Sequence, residues 1–315
     1  MHEIRRFLLN MKRLKQNIPI QPILSFNTPS IHASVLRLDT LHPIVSGNKW
    51  YKLKFYIEEA QLQKASTIAS FGGPYSNHLV AMAYAAKEFH FKSIGYVRSN
   101  EEEPLTPTLK EALQYGMELK FLGRTHFQKN KEELIQASAF HKEQSSNTYW
   151  IEEGGYGKLG AKGAATILEH LHTRNDSNSF THIIAAVGTG TMLAGLIQSA
   201  QLNQNIIGIP VLKNEGTIEE EIKKLIPSHH ENQFTLLHDF HLGGYAKTTP
   251  NQFQFMNQLW ATEKIPTDIV YTSKLFMAVE QLIKSDYFPT HSNLLMIHSG
   301  GLQGNRSISS GILDF

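Results

Sequence analysis

The chain has 315 residues, of which 41% are apolar and none is cysteine. At ~150 residues per domain this length indicates about two domains, and the net charge of +2 argues against nucleic acid or another polyanion as a partner. Without cysteine the chain forms no disulfide, thiolate nucleophile or iron–sulfur cluster. The composition is that of an ordinary globular protein.

Short runs rich in β-branched residues alternate with helical patterns along the chain. Strands are predicted at residues 35–38, 67–71, 93–98, 117–122, 148–152, 182–187, 206–212 and 294–298. Helices are predicted at residues 50–63, 76–89, 108–115, 127–143, 158–172, 191–201, 252–262 and 273–283. Strands separated by helices need crossover connections, which predicts an α/β protein of two doubly wound domains with mainly parallel sheets.

Loop composition predicts where the two domains divide. A Pro-, Ser- and Gly-bearing segment precedes Trp50, and a Glu- and Gly-rich segment precedes the helix predicted from residue 158. We therefore expect a unit of residues 52–157 inserted into a larger domain of residues 1–51 and 158–315. The apolar run at residues 7–9 is too short for a signal-peptide core, and residues 175–179 are predicted to be an exposed loop. No apolar run approaches the ~20 residues of a membrane helix. We expect a cytoplasmic protein with no membrane partner.

The first motif in chain order is a lysine turn. Gly47 and Asn48 place Lys49 on a tight turn at a helix entry, from which its long side chain can point into a cleft. A lysine that forms a Schiff base needs such a position and a lowered pKa. Lys52 and Lys54 are expected to begin on a solvated face, and spacing alone does not separate Lys49 from a surface lysine.

The second motif is a Gly-Gly turn followed by Ser76, Asn77 and His78. Ser76 is well placed to cap the N-terminus of the next helix, which is a purely structural role. The same three residues can also present hydrogen-bond donors to a carboxylate at the helix N-terminus. The two interpretations are compatible.

The third motif is the run Gly188, Thr189, Gly190 and Thr191, between a predicted strand and a predicted helix. Backbone N–H groups and the helix dipole converge on an anion at such a turn, so it can hold a phosphate. The dinucleotide fingerprint is absent because Leu193 stands where it needs glycine. A plain strand-to-helix turn remains the alternative.

The last motif is His298-Ser299-Gly300-Gly301, which again places a hydroxyl where a predicted strand ends. A nucleophilic serine in a hydrolase is disfavoured, because the G-x-S-x-G pattern is missing. The chain has 16 histidines but no H-E-x-x-H spacing, so we predict no metal site.

Taken together, these motifs resemble the fold-type-II pyridoxal-phosphate enzymes, which have a tryptophan synthase β-like fold. The resemblance is closest to the 1-aminocyclopropane-1-carboxylate deaminase and D-cysteine desulfhydrase family, and it spans about residues 30 to 310. Its most specific part is the pair of motifs G-N-K-x-x-K-L and S-N-H. The resemblance implies pyridoxal 5'-phosphate as cofactor and Lys49 as the Schiff-base lysine. Ser76, Asn77 and His78 would face the substrate carboxylate and the cofactor ring, with Ser76 also counted among the catalytic residues.

The resemblance assigns further roles. Gly188, Thr189, Gly190 and Thr191 would hold the cofactor phosphate, and Ser299 would lie at the cofactor. Tyr271 matches the family's active-site tyrosine before a T-x-K element, and Tyr245 matches its second tyrosine. The family's usual assembly is a homodimer.

Two positions bear on the substrate. Cyclopropane deaminases have glutamate and leucine where this chain has Thr272 and Ser299, a pattern that resembles the desulfhydrases. We therefore expect α,β-elimination from a small amino acid, D-cysteine first, giving pyruvate, ammonia and sulfide. Ring-opening deamination of 1-aminocyclopropane-1-carboxylate is the alternative, and a non-catalytic cofactor- or phosphate-binding protein is the alternative of another class. Tyr75, Trp50 and Tyr51 depart from the family's common residues and leave the pocket shape open.

Overall fold

The computed structural model describes residues 18–140, 147–172, 179–213 and 217–315. Its strands are β1 (Ile20–Pro22), β2 (Ile31–Arg37), β3 (Thr67–Gly72), β4 (Lys92–Val97), β5 (Met117–Phe121), β6 (Thr148–Ile151), β7 (His182–Val187), β8 (Asn205–Pro210), β9 (Phe234–Leu236) and β10 (Ser292–His298). Its helices are α1 (Asn48–Leu62), α2 (Asn77–Glu88), α3 (Pro107–Gln114), α4 (Phe127–Phe140), α5 (Lys158–Ala165), α6 (Glu169–His172), α7 (Thr191–Ser199), α8 (Thr217–Lys223), α9 (Pro250–Glu263) and α10 (Thr272–Lys284).

The strands form two sheets. The larger has six strands in the order β1-β2-β10-β7-β8-β9, and the smaller has four in the order β5-β4-β3-β6. Within both sheets the paired strands are parallel, except that β1 runs antiparallel to β2 at one edge. Strands joined through helices in this way form doubly wound α/β layers, so the predicted fold class is confirmed.

The central strands are buried on both faces. All six residues of β7 are buried, as are the last five of β10, which explains why both read as continuous apolar runs in the sequence. The smaller sheet uses residues 67–151 alone, whereas the larger one takes strands from both sides of that stretch. Helices α1 and α5 touch backbone to backbone, since a Cβ on Gly163 would lie 1.7 Å from the carbonyl oxygen of Tyr51.

The structure departs from the predicted elements in a few places. The predicted helix at 158–172 is divided into α5 and α6, because Thr166 ends α5 and its hydroxyl donates to the carbonyl of Gly163 at 2.8 Å. The three-residue edge strands β1 and β9 and the seven-residue α8 were not predicted, since such short segments carry no clear periodicity.

Three predictions fall partly or wholly outside the described residues: the absence of a signal-peptide core near residues 7–9, the end of the helix at 127–143, and most of the loop at 175–179. Among the residues that are described, we find no helix both long and apolar enough to span a bilayer.

Candidate active site

A cavity of about 780 Å³ lies where strands of both sheets end. Its walls come from segments that directly follow β3, β4 and β6 of the smaller sheet and β7, β8 and β10 of the larger one. Open α/β sheets bind ligands at this carboxyl edge. The predicted site residues that line the cavity are Lys49, Ser76, Asn77, His78, Gly188, Thr189, Gly190, Tyr245, Tyr271 and Ser299.

The lysine turn is clamped against the end of β10. Gly47 has φ +61°, and a Cβ there would lie 1.8 Å from the carbonyl oxygen of Ser299, so only glycine permits this approach. The backbone N–H of Asn48 donates to that same oxygen at 3.0 Å. Lys49, the second residue of α1, thereby projects its amine into the cavity, 2.8 Å from Oδ1 of Asn48 and 6.0 Å from the ring centre of Tyr271.

Burial favours the neutral form of the Lys49 amine. Burial lowers its pKa to about 8, and the negative charge of Asp268 opposes this shift only in part. A neutral amine is the form that attacks a carbonyl carbon, so a lowered pKa suits a Schiff-base lysine.

The prediction that Lys52 and Lys54 lie on a solvated face is wrong. Lys52 is 5% exposed and Lys54 is 9% exposed, because α1 packs closely against α5. Lys52 lines the cavity, where its Nζ donates to the carbonyl of Gly154 at 3.3 Å. Burial, and to a smaller extent repulsion from the charge of Lys49, lowers the pKa of Lys52 well below its usual value. The i,i+3 spacing of Lys49 and Lys52, which places both on one helix face, was the available signal.

The start of α2 has the helix cap predicted for it. Ser76 caps the helix, with its Oγ accepting from the backbone N–H of Leu79 at 3.3 Å. The Nδ2 of Asn77 donates to the carbonyl of Gly301 at 2.9 Å, which leaves Oδ1 buried without a hydrogen-bond partner in the described structure.

His78 is held neutral beneath this turn. Its Nε2 lies 2.9 Å from Oγ of Ser70, while its Nδ1 is buried with no partner among the described residues. Burial, together with the charges of Lys49 and Lys52, lowers its pKa to about 3. A neutral imidazole beside two lysines adds no further positive charge to the site.

The Gly188–Thr191 turn has the geometry of an anion cradle. It connects β7 to α7, and Gly190 adopts φ +79° where a Cβ would lie 2.6 Å from Cγ1 of Ile222. Thr191 itself does not line the cavity, but its hydroxyl lies 3.0 Å from that of Thr189, which does. A Cβ on Gly154 would lie 3.1 Å from Cγ2 of Thr189. Lys52 bonds Gly154, so its amine reaches the loop that faces this cradle.

Tyr271 is positioned by a carboxylate that sequence reasoning missed. Asp268 is fully buried, and its Oδ2 accepts from the backbone N–H groups of Val270 at 2.8 Å and Tyr271 at 2.9 Å. The ring of Tyr271 lies against Gly188, where a Cβ would be 3.1 Å from Cε1. Burial raises the pKa of Tyr271 well above its usual value and also raises that of Tyr245, so both phenols keep their protons at neutral pH.

The hydroxyls of Thr272 and Ser299 have different surroundings. Thr272 is fully buried, and its Oγ1 donates to Oδ1 of Asp268 at 2.7 Å while accepting from the Asp268 N–H at 2.7 Å. Ser299 lines the cavity. Ser299 therefore lies at the cavity wall, whereas Thr272 does not line the cavity and its hydroxyl is bonded to Asp268.

Arg98 adds a cation that sequence reasoning also missed. It follows β4 and lines the cavity, with its guanidinium 5.4 Å from the ring centre of Phe127. In the described part of the chain it forms no ion pair. A Cβ on Gly73, in the turn before Ser76, would lie 3.7 Å from its Nη2. Its charge therefore acts beside the start of α2.

The cavity thus combines an amine of lowered pKa, a glycine–threonine cradle facing the Gly154 loop to which buried Lys52 donates, and two residues, Asn77 and His78, each with a buried polar atom that has no partner in the described structure. These groups suit an enzyme that holds a phosphorylated aldehyde cofactor by covalent attachment to lysine. Residues 14–300 match the family described as pyridoxal-phosphate dependent enzyme. The chain belongs to that family, and its cofactor is pyridoxal phosphate, which the residues present in the cavity fit.

Two proteins from other organisms are similar in sequence to most of this chain. A Thermotoga maritima protein, assigned only provisionally as a 1-aminocyclopropane-1-carboxylate deaminase, is 27% identical over 86% of this chain and 88% of its own length. A mitochondrial protein of Arabidopsis thaliana, named bifunctional D-cysteine desulfhydrase/1-aminocyclopropane-1-carboxylate deaminase, is 25% identical over 82% of this chain and 70% of its own.

Solved structures agree on the fold. The crystal structure of an ACC deaminase homologue superposes with a TM-score of 0.79 at 23% identity, covering 92% of this chain and 90% of the other. A hydrogen sulfide-producing enzyme of Fusobacterium nucleatum superposes with a TM-score of 0.67 at 15% identity, covering 95% and 99%. At these identities the likeness establishes the fold.

Proposed function

We propose that the chain is a pyridoxal-phosphate-dependent lyase or deaminase of a small amino acid. The observation that carries this proposal is Lys49, whose amine projects into the cavity with a pKa lowered to about 8. A protein that only bound the cofactor or a phosphate would have no need of a nucleophilic amine next to a turn that only glycine at position 47 permits.

The residues around Lys49 support binding of the cofactor and a carboxylate. The Gly188–Thr191 turn and Lys52 would hold the phosphate, since backbone N–H groups favour an anion and a bound phosphate would favour the charged form of Lys52. The Ser76 hydroxyl and the N-terminus of α2 would bind the substrate carboxylate, with Arg98 adding positive charge beside them.

Proton transfers fall to Lys49 and the two tyrosines. Bound pyridoxal phosphate withdraws electrons from Cα of an amino acid attached to it. Lys49, displaced by the substrate, would take the Cα proton as a neutral amine. Tyr271 and Tyr245 keep their phenolic protons at neutral pH, so either can donate a hydrogen bond or a proton to a departing group.

We infer D-cysteine as the leading substrate. Ser299 at the cavity wall supports a desulfhydrase-like site, and one similar plant protein is named for both activities. D-Cysteine would lose sulfide from Cβ, and hydrolysis of the remaining aminoacrylate would give pyruvate and ammonia. Ring-opening deamination of 1-aminocyclopropane-1-carboxylate is the second candidate, supported by similar bacterial proteins that are named for this activity.

The test is to load the purified protein with pyridoxal phosphate and add D-cysteine, L-cysteine, D-serine or 1-aminocyclopropane-1-carboxylate separately. Release of 2-oxo acid and sulfide from D-cysteine supports the proposal, whereas 2-oxo acid from the cyclopropane substrate alone assigns the second activity. Lys49→Ala should lose covalent cofactor attachment. The exposed Lys120→Ala, on β5, is the matched lysine control. Covalent attachment in Lys49→Ala would exclude Lys49 as the attachment site.

We also propose that residues 52–157 form a unit inserted into a larger domain of residues 1–51 and 158–315, and that the enzyme is a cytoplasmic homodimer. The order of strands in the two sheets supports the division. Native-state hydrogen exchange in which residues 52–157 open as a unit separate from the rest would support it, and light scattering of the holoenzyme would test the dimer.

A further inference from the structure

Tyr245 lies in a loop whose backbone is unusual. Leu242, Gly243, Gly244 and Ala246 all have positive φ, at +50°, +90°, +117° and +53°. Two of these residues have a Cβ, which the left-handed region disfavours. Such a conformation persists only where the surrounding structure imposes it. Something outside this loop must therefore hold it.

The side chain of Lys274 hydrogen-bonds to the loop that carries Tyr245. Lys274 lies in the first turn of α10, is 0% exposed, and donates from Nζ to the carbonyls of His241 at 2.8 Å and Gly244 at 2.6 Å. It forms no ion pair with a described residue. The carbonyl oxygens take the place of a carboxylate, and burial lowers its pKa to about 8. Two charge-assisted hydrogen bonds therefore hold the loop carrying Tyr245 to α10.

The same helix positions both tyrosines. Tyr271 immediately precedes α10, whereas Lys274 holds the loop that carries Tyr245. Lys274 does not line the cavity that holds Lys49. We propose that Lys274 is a positioning residue that fixes the Tyr245 phenol at the cavity. Only the chemistry assigned to Tyr245 rests on the proposed function, since the contact between Lys274 and the loop is independent of it.

Limited proteolysis of the holoenzyme tests the contact without an activity assay. Lys247 is exposed immediately after the loop, so trypsin cleavage between Lys247 and Thr248 reports how often the loop opens. We expect Lys274→Met to accelerate this cleavage by at least about tenfold, because two hydrogen bonds to a charged group are lost. The control is Lys284→Met on the same helix, whose exposed side chain pairs with Glu280 at 2.9 Å. Equal rates in the two variants would overturn the proposal.

A neighbouring cavity allows chemical rescue. Lys274 lines a second cavity of about 310 Å³, together with Phe240 and Leu242. In Lys274→Ala, propylammonium can enter the vacated space and donate to the same carbonyls, so it should restore protection of Lys247 in a saturable manner. Tetramethylammonium has the same charge but no N–H donor and should not. Equal effects of the two ions would refute the hydrogen-bonding role.

Steady-state kinetics test whether Lys274 acts through Tyr245. We expect Lys274→Met to lower kcat more than it raises KM, and Lys274→Met combined with Tyr245→Phe to be no slower than the slower single variant. Multiplicative losses would refute a shared role. If Lys274→Met fails to fold, Lys274→Arg replaces it, because arginine keeps the charge and the hydrogen-bond donors. Lys274→Arg should protect Lys247 from trypsin as the unmodified protein does, and faster cleavage at Lys247 would count against the proposal. Inactivity of the unmodified protein toward every amino acid tested would refute the proposed function but leave the proteolysis result standing.

Discussion

Replacing Gly47 with alanine tests whether the lysine turn depends on its contact with the end of β10. An alanine at φ +61° costs about 1–2 kcal/mol for the left-handed backbone alone. Its Cβ would also lie 1.8 Å from the Ser299 oxygen and 2.6 Å from the Gly300 nitrogen. Both are backbone atoms that cannot rotate away, so overpacking adds about 1–3 kcal/mol. Loss of the bond from Asn48 to Ser299 adds about 1 kcal/mol more, and we expect a total of about 3–6 kcal/mol.

Gly116 supplies the matched control. It has φ +88°, and a Cβ there would meet nothing within 4 Å, so Gly116→Ala should cost only the backbone term of about 1–2 kcal/mol. Urea unfolding of both cofactor-free variants, followed by tryptophan fluorescence, measures the difference. Gly47→Ala should also slow covalent capture of pyridoxal phosphate, seen as its absorption band, because Lys49 moves with the turn. Equal unfolding costs, or unchanged capture in Gly47→Ala, would refute this reasoning.

Three further predictions concern charges and hydrogen bonds of the site. The rate at which the cofactor-free protein captures pyridoxal phosphate covalently should rise with pH, with a midpoint near pH 8, since the lowered pKa of Lys49 leaves its amine neutral above that pH. Stopped-flow absorbance measures this rate, and a midpoint near 10.5 would contradict the assignment. Lys52→Met should weaken cofactor binding by at least about tenfold in equilibrium titrations. It should also stabilise the cofactor-free chain toward urea, because it removes a buried amine whose charged form burial disfavours; unchanged affinity would exclude a phosphate contact. Asp268→Asn should lower the free energy of unfolding in urea by about 2–4 kcal/mol, and Thr272→Val by about 1–2 kcal/mol. Asp268 accepts several hydrogen bonds, whereas the Thr272 hydroxyl donates only one of them. Equal losses in the two variants would contradict this reasoning.

Much of the fold could be predicted because its central strands are buried on both faces. Each apolar run from residues 67–71 to 294–298 corresponds to an observed strand within a few residues. Ser76 was placed correctly as a cap because capping is a local interaction between a side chain and the next three residues. The motif glycines were also informative, since Gly47 and Gly190 adopt positive φ.

The rest depended on contacts between distant parts of the chain. Lys52 and Lys54 have the composition of a solvated helix face, and only the packing of α1 against α5 buries them. Asp268 carried no local signal, and Lys274 stood out only as the lysine of the T-x-K element, because most of their partners are backbone groups whose positions the fold determines. Resemblance singled out Thr272 as a position that bears on the substrate, whereas its hydroxyl bonds the buried Asp268.

The burial of charge in this cavity has a consequence for the cofactor-free protein. Lys49, Lys52 and Arg98 all line it, and none forms an ion pair with the described residues. Burial disfavours the charged forms of both lysines, and Asp268 offsets this only in part for Lys49. A bound phosphate and carboxylate would add negative charge beside them. Binding of cofactor and substrate should therefore stabilise the fold by more than their contact area alone, because it also relieves the repulsion between Lys49 and Lys52.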